Sequence, residues 1–132
     1  MIYIVQHMKQ FKQTYIIDAA THDVWKALVD PKVIADWGAG PASMSDKKEK
    51  FSLWGGDIYG TNTEIHSGHM LAQDWYGGDW AEPSHVTIEL ASEDDKTTIT
   101  LTHTNIPDDE FEGIKSGWKD YYFGPMKELL EM

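Results

Sequence analysis

Between residues 50 and 104 the chain offers five strand-like runs separated by short turns. Lys50 to Trp54 is rich in β-formers and ends at Gly55-Gly56-Asp57, a good hairpin signal. Ile58 to Ile65 follows and turns at Ser67-Gly68, and Met70 to Tyr76 ends at Gly77-Gly78. Val86 to Leu90 alternates cleanly, turns at Glu93-Asp94-Asp95, and is answered by Thr97 to Thr104. Parallel neighbours need a long crossover between strands, so closely spaced runs of this kind pair antiparallel.

The flanks add one strand and the helices. Residues 11–17 are rich in β-formers and read as the first strand. Thr21 is positioned to cap a short helix carrying Val24, Trp25 and Leu28 on its apolar face. Asp30-Pro31 starts a second short helix, with Asp as cap and Pro at the first helical position, and Gly38-Ala39-Gly40-Pro41 ends it after Trp37. From about Asp108 the chain reads as helix again. Phe111, Ile114, Trp118, Tyr121 or Tyr122, and Leu129 recur at three- and four-residue steps, while Asp108, Asp109, Glu110 and Glu112 crowd the end that the helix dipole makes positive. Pro125 cannot donate to the Tyr121 carbonyl, which predicts a kink or break near Gly124-Pro125. The order is β-α-α-β-β-β-β-β-α, an α+β chain. One face of its sheet needs covering, and the last helix is the only element long enough to cover it.

At 132 residues the chain fits one domain, 1–132, able to bury roughly two-thirds of its unfolded surface. It has no cysteine, which removes disulfides, thiolate ligands and a cysteine nucleophile together and agrees with a cytoplasmic home. The opening Met1-Ile2-Tyr3-Ile4-Val5 is too short for a signal core or a membrane span. Acidic residues number 22 against 11 basic ones, a formal net charge of −11, and every basic residue is lysine. Such a surface repels phosphate backbones, so nucleic acid and anionic membranes are poor partners. Without arginine there is no bidentate fork for phosphate or carboxylate.

The element order and a set of spaced residues resemble the helix-grip superfamily of START-like, or SRPBCC, domains. The closer likeness is to the family homologous to the C-terminal domain of the heat-shock protein 90 ATPase activator. Ala19-x4-Val24-Trp25-x-Ala27-Leu28, Asp30-Pro31 and Trp37 carry it first, then Gly55-Gly56, Gly60-x3-Glu64-Ile65 and Leu71-x3-Trp75, and finally Thr100-Leu-Thr-His103 and Gly117-Trp118. The likeness covers about residues 12–132. Gly124-Pro125 within the last helix and the stretch Trp75 to Trp80 depart from the pattern. The resemblance implies a curved antiparallel sheet wrapped around the long C-terminal helix. In the superfamily the gap between them often holds a lipid, sterol, polyketide or hormone, and some members are cyclases or dehydratases. The family takes its name from a co-chaperone, which raises a protein partner as the alternative.

Several side chains are candidates for a site. Ile99, Leu101 and His103 share one face of their strand and the intervening threonines the other, so the apolar set should carry His103 inward. There it is either a polar anchor for a ligand or a structural histidine bonded to its surroundings. Glu64 falls in the less apolar set of its strand and is expected to face solvent, the alternative being a buried cavity acid whose charged form burial would disfavour. His66 and His69 flank a turn with Asp74 nearby, yet a firm zinc site needs three or four placed ligands, and no metal is expected. His7, His22 and His85 read as surface residues. Trp25, Trp37, Trp54, Trp75, Trp80 and Trp118 are six tryptophans on different elements that this fold gathers around one interior. Each couples large apolar area to an N–H that can orient a guest. Core packing accounts for Trp25 and is the first role of Trp118. Trp37, Trp54 and Trp75 are the cavity-wall candidates, with Tyr122 facing them from the helix. The expected ligand site is therefore Trp37, Trp54, Trp75, Ile99, Leu101, His103, Trp118 and Tyr122. No nucleophile elbow, P-loop or dinucleotide fingerprint appears, and no cofactor is expected. Three functions compete: binding of an apolar small molecule, a protein-interaction module, and a cyclase or hydrolase pairing His103 with a carboxylate.

Overall fold

The first strand, β1 (Met8–Ile17), turns inward at every second residue, with Phe11, Tyr15 and Ile17 on the covered side. The computed structural model describes residues 8–132, so the opening apolar stretch and His7 lie outside the described residues. Two short helices follow, α1 (Thr21–Val29) and α2 (Pro31–Trp37). Asp30 caps α2 as its sequence requires, its carboxylate accepting from the Lys32 N–H at 2.9 Å, with Pro31 behind it. Gly38 ends the helix at φ 114°, a left-handed conformation that favours glycine. Thr21 does not cap α1: Ala20 holds that position without a side-chain bond. Thr21 lies one residue inside the helix, where its hydroxyl meets Thr97 at 3.4 Å.

Five more strands follow: β2 (Lys50–Leu53), β3 (Ile58–His66), β4 (Met70–Gly77), β5 (Ser84–Glu93) and β6 (Lys96–Pro107). They join β1 in one antiparallel, curved six-stranded sheet of order β1-β6-β5-β4-β3-β2. The first strand thus pairs with the last, and the strand order is otherwise that of the chain. Trp54 leaves the ladder one residue before its predicted end, and β5 starts two residues earlier than its alternating core, at Ser84.

Strand parity holds where pairing is regular and fails at bulges. On β6, Ile99, Leu101 and His103 face inward as predicted and are fully buried. Beyond them Asn105 takes φ 59° and the register against β1 slips, so the inward set resumes at Ile106. On β3 the inward residues are Gly60 and Asn62, the set expected to face solvent. A bulge between Asn62 and Glu64 then reverses the parity, which turns Ile65 toward the core side and leaves Glu64 exposed. Glu64 faces water, but because of the bulge and not because of its set.

The covering element runs from a turn at Asp108–Glu110 through α3 (Phe111–Gly117), a π-helical stretch (Trp118–Phe123) and α4 (Gly124–Leu130). Pro125 does not break it. The backbone stays right-handed helical through Gly117, Trp118, Phe123 and Gly124, and the wider π turn absorbs the missing proline donor. The same turn sets which aromatics face the sheet. Residues five apart lie about 140° apart around an α-helix, yet Trp118 and Phe123 stack with centroids 5.7 Å apart and are both buried. Tyr122 is buried with them at 2% exposure, whereas Tyr121 is 67% exposed. One core joins α1, α2, the inner sheet face and this helix.

Candidate functional site

An open pocket of about 310 Å³ lies between the C-terminal helix and the β2–β3 end of the sheet. Trp54, Asp57 and Ile58 line it from the hairpin and Trp75 from β4. Ile114, Gly117, Trp118, Tyr121 and Tyr122 line it from the helix. Apolar and aromatic groups dominate these walls, and Asp57, exposed at the rim, is the one carboxylate among them.

Each aromatic wall is held by a definite partner. Trp75 and Trp118 stack with centroids 5.1 Å apart and planes 19° from parallel. Tyr122 packs against Trp118 at 4.6 Å, with Trp54 edge-on at 6.4 Å. Burial pushes the Tyr122 phenol pKa up, so it stays neutral. Trp54 sits at φ 50°, a left-handed conformation that costs a bulky residue about 1–3 kcal/mol. Its backbone N–H donates to the Ala39 carbonyl at 2.8 Å, which ties that conformation to the segment following α2.

Behind the pocket stands His103, 0% exposed. The Trp118 indole N–H donates to its Nδ1 at 3.0 Å. Its Nε2 lies 2.8 Å from the Ser84 hydroxyl, whose own hydrogen goes to the Trp75 carbonyl at 3.1 Å. The serine oxygen therefore accepts, and the imidazole is the neutral Nε2–H tautomer. Burial, with the charge of His85 adding to it, pushes its pKa down to about 3. With both nitrogens occupied by neutral partners, this ring is built to position Trp118 and Trp75 and is a poor proton acceptor. The carboxylate that a hydrolytic reading of His103 requires is not among its bonded partners.

Four of the eight expected site residues, Trp54, Trp75, Trp118 and Tyr122, line the pocket together. Trp37, Ile99, Leu101 and His103 lie in the core behind it. Trp37 packs on Tyr122 at 4.7 Å and donates its N–H to the Ala27 carbonyl at 2.9 Å, so it supports the wall instead of forming it. Ile58 and Ile114 line the pocket without being among the eight, although Ile114 stands four residues before Trp118 on the same apolar helix face. Ser84 lies one step of the alternation before Val86, where the strand's regular apolar pattern begins, and that step points it inward beside His103. Two members of the set His66, His69 and Asp74 near the β3–β4 turn have other partners. His66 pairs with Glu64 at 3.1 Å, and Asp74 with His85 at 2.9 Å. No group of three or more metal-ligating side chains occurs among the described residues. Trp80 lies outside the pocket, its indole N–H donating to the Glu110 carboxylate.

Comparison with known proteins agrees with this architecture. A crystal structure of an HSP90 activator from Plasmodium falciparum superposes with a TM-score of 0.85 at 29% identity, over 92% of this chain and 96% of that one. The activator of 90 kDa heat shock protein ATPase homolog of Dictyostelium discoideum is 42% identical over 74 residues, 53% of this chain and 19% of that protein. The activator of 90 kDa heat shock protein ATPase homolog 1 of Mus musculus is 23% identical over 122 residues, 90% of this chain and 36% of that protein. The chain thus spans well under half the length of these two curated relatives. The profile of the activator of Hsp90 ATPase homolog 1-like family matches residues 18–131. With the curved sheet, the tandem short helices and the covering helix in place, the chain belongs to the family of activator of Hsp90 ATPase homolog 1-like proteins.

Proposed function

We propose that this chain is a small-molecule binding domain that takes an apolar ligand between its C-terminal helix and the β2–β3 hairpin. The pocket carries the reading. Its 310 Å³ falls within the range of small-ligand sites and is about twice the ~150 Å³ of an apolar cavity that takes up benzene. Trp54, Trp75, Trp118 and Tyr122 contact the ligand on this reading, while Trp37, Ile99, Leu101 and His103 hold those walls in place. On this reading the chain is one domain that resides in the cytoplasm, in keeping with its cysteine-free composition. No helix among the described residues is long and apolar enough to cross a membrane. Native mass spectrometry of the purified protein, with extraction of whatever it carries, tests the reading. A defined apolar passenger released on unfolding supports it. An apo mass that stays unchanged across lipids, polyketides and aromatic ketones counts against it.

A second reading has its own support. The Plasmodium falciparum protein described as an HSP90 activator matches this chain over nearly the whole of both. On that reading the chain is a protein-interaction module, and a surface of net charge −11 suits a basic partner face. Stimulation of Hsp90 ATPase turnover by the added chain supports it, and an unchanged rate at saturating chain opposes it.

A further inference from the structure

Asp57 sits where the apolar pocket opens to water. It lines the pocket together with Trp54 and Ile58 and is exposed, and its carboxylate has no hydrogen-bond or ion-pair partner among the described residues. Several other surface carboxylates are matched: Glu64 by His66, Asp74 by His85 and Glu131 by Lys127. The turn that carries Asp57 is fixed, since its backbone N–H donates to the Trp54 carbonyl at 3.3 Å. An unmatched negative charge therefore stands at a set place on the rim, one turn from an aromatic wall.

The rest of the wall sets the sign of the guest. No lysine or histidine lines the pocket, and the chain carries a formal charge of −11. An anion would meet no counter-charge there and would be repelled by the surrounding field. A neutral guest covers the aromatic walls but leaves Asp57 unmatched. A guest with an apolar body and one ammonium does both. Its body displaces water from the walls, while the ammonium stays hydrated at the rim facing Asp57, so its charge is never buried. Small-molecule sites are mostly apolar with a few polar groups that fix orientation, and Asp57 is the one charged residue among those lining this pocket.

Resting on the ligand-binding reading above, we propose that the pocket selects amphipathic organic cations of the arylalkylamine class, and that Asp57 is the residue that sets this preference. Neutral molecules of the same shape then bind more weakly, and anions more weakly still.

Four probes on one naphthalene frame test this by calorimetry at fixed ionic strength. Naphthylethylamine carries the positive charge, naphthylethanol and acetylnaphthalene are its neutral counterparts, and naphthoate is the anion. The amine is expected to bind about two- to fivefold tighter than either neutral probe, the worth of one exposed ion pair, with naphthoate weakest. Asp57→Asn should bring the amine down to the neutral probes. The carboxylate engages no other group of the described chain, so this variant should fold as before, which its unfolding midpoint checks. Asp94→Asn removes the same charge from the β5–β6 turn, at the far end of β5 from the Ser84 that pairs with Trp75, and should leave the amine's margin intact. Equal binding of the amine and the neutral probes overturns this inference and leaves the pocket reading standing. So does a margin that survives Asp57→Asn, or one lost equally in Asp94→Asn, since either assigns the preference to the field of the whole chain. Failure of all four probes to bind overturns the pocket reading and this inference with it.

Discussion

The indole N–H of Trp118 donates to Nδ1 of His103 at 3.0 Å, and through that bond the C-terminal helix is fastened to the inner face of the sheet. The same imidazole reaches the Ser84 hydroxyl, which in turn holds the Trp75 carbonyl. One histidine therefore sets the spacing of the two indoles that stack in the pocket wall. Removing it should cost stability as well as order. His103→Leu leaves the Trp118 donor buried without a partner, for an expected loss of about 1–3 kcal/mol in urea unfolding. A loss below about 0.5 kcal/mol would mean that the network contributes little.

The depressed pKa of His103 gives this network a pH signature. Its ordinary value is 6.5 and burial takes it to about 3 in the folded chain. Below pH 6.5 the unfolded chain binds a proton at His103 that the folded chain refuses. Stability from this group is thus intact above the unfolded value and falls as pH drops through 6.5 toward 3, by about 1.4 kcal/mol per pH unit. Between about pH 7 and about pH 5 the loss should reach roughly 2 kcal/mol, and His103→Gln should remove most of that dependence. Equal losses in both proteins across that interval would assign the effect elsewhere.

The π turn makes a prediction opposite in sign to helix propensity. A Cβ on Gly124 would lie 2.3 Å from the Lys119 carbonyl oxygen, so Gly124→Ala must distort the turn and should destabilise the protein. Alanine at Gly113, in the exposed part of α3 with nothing within 4 Å, should stabilise by about 0.5–1 kcal/mol. Thermal unfolding of the pair reads both signs at once. A gain at both positions would show that the segment relaxes to an ordinary α-helix.

Trp54 separates binding from folding. It is only partly buried and meets Tyr122 edge-on, unlike the enclosed Trp118. Trp54→Ala should weaken acetylnaphthalene binding about tenfold, the effect of removing about 1.4 kcal/mol of contact, while the unfolding midpoint in urea moves little. Unchanged affinity would take Trp54 out of the proposed site.

Much of this fold was legible because its strands are short, closely spaced and mostly regular in pairing. The inward placement of His103 follows from the alternation because parity runs unbroken from Thr97 to His103. Depth was not legible. Parity assigned Ile99 and Leu101 to the covered face but could not tell core from pocket, which depends on where the helix crosses the sheet. Bulges hide from the same reasoning, as Glu64 shows: its exposure follows from a slip in register that leaves no mark in the alternation. Gly124-Pro125 reads as a helix breaker in an α-helical frame, and only packing reveals that a π turn accommodates it. Ser84 becomes visible beside His103 only when the alternation is carried back from Val86 to the residue that follows Pro83.

Whether the pocket under the C-terminal helix receives a ligand is tested most directly by the six tryptophan indole signals of the ¹⁵N-labelled protein. On titration with acetylnaphthalene, the signals of Trp54, Trp75 and Trp118 should move together and saturate, while those of Trp25 and Trp80 stay in place. Shifts confined to Trp80, or none at any concentration the probe allows, would contradict the claim.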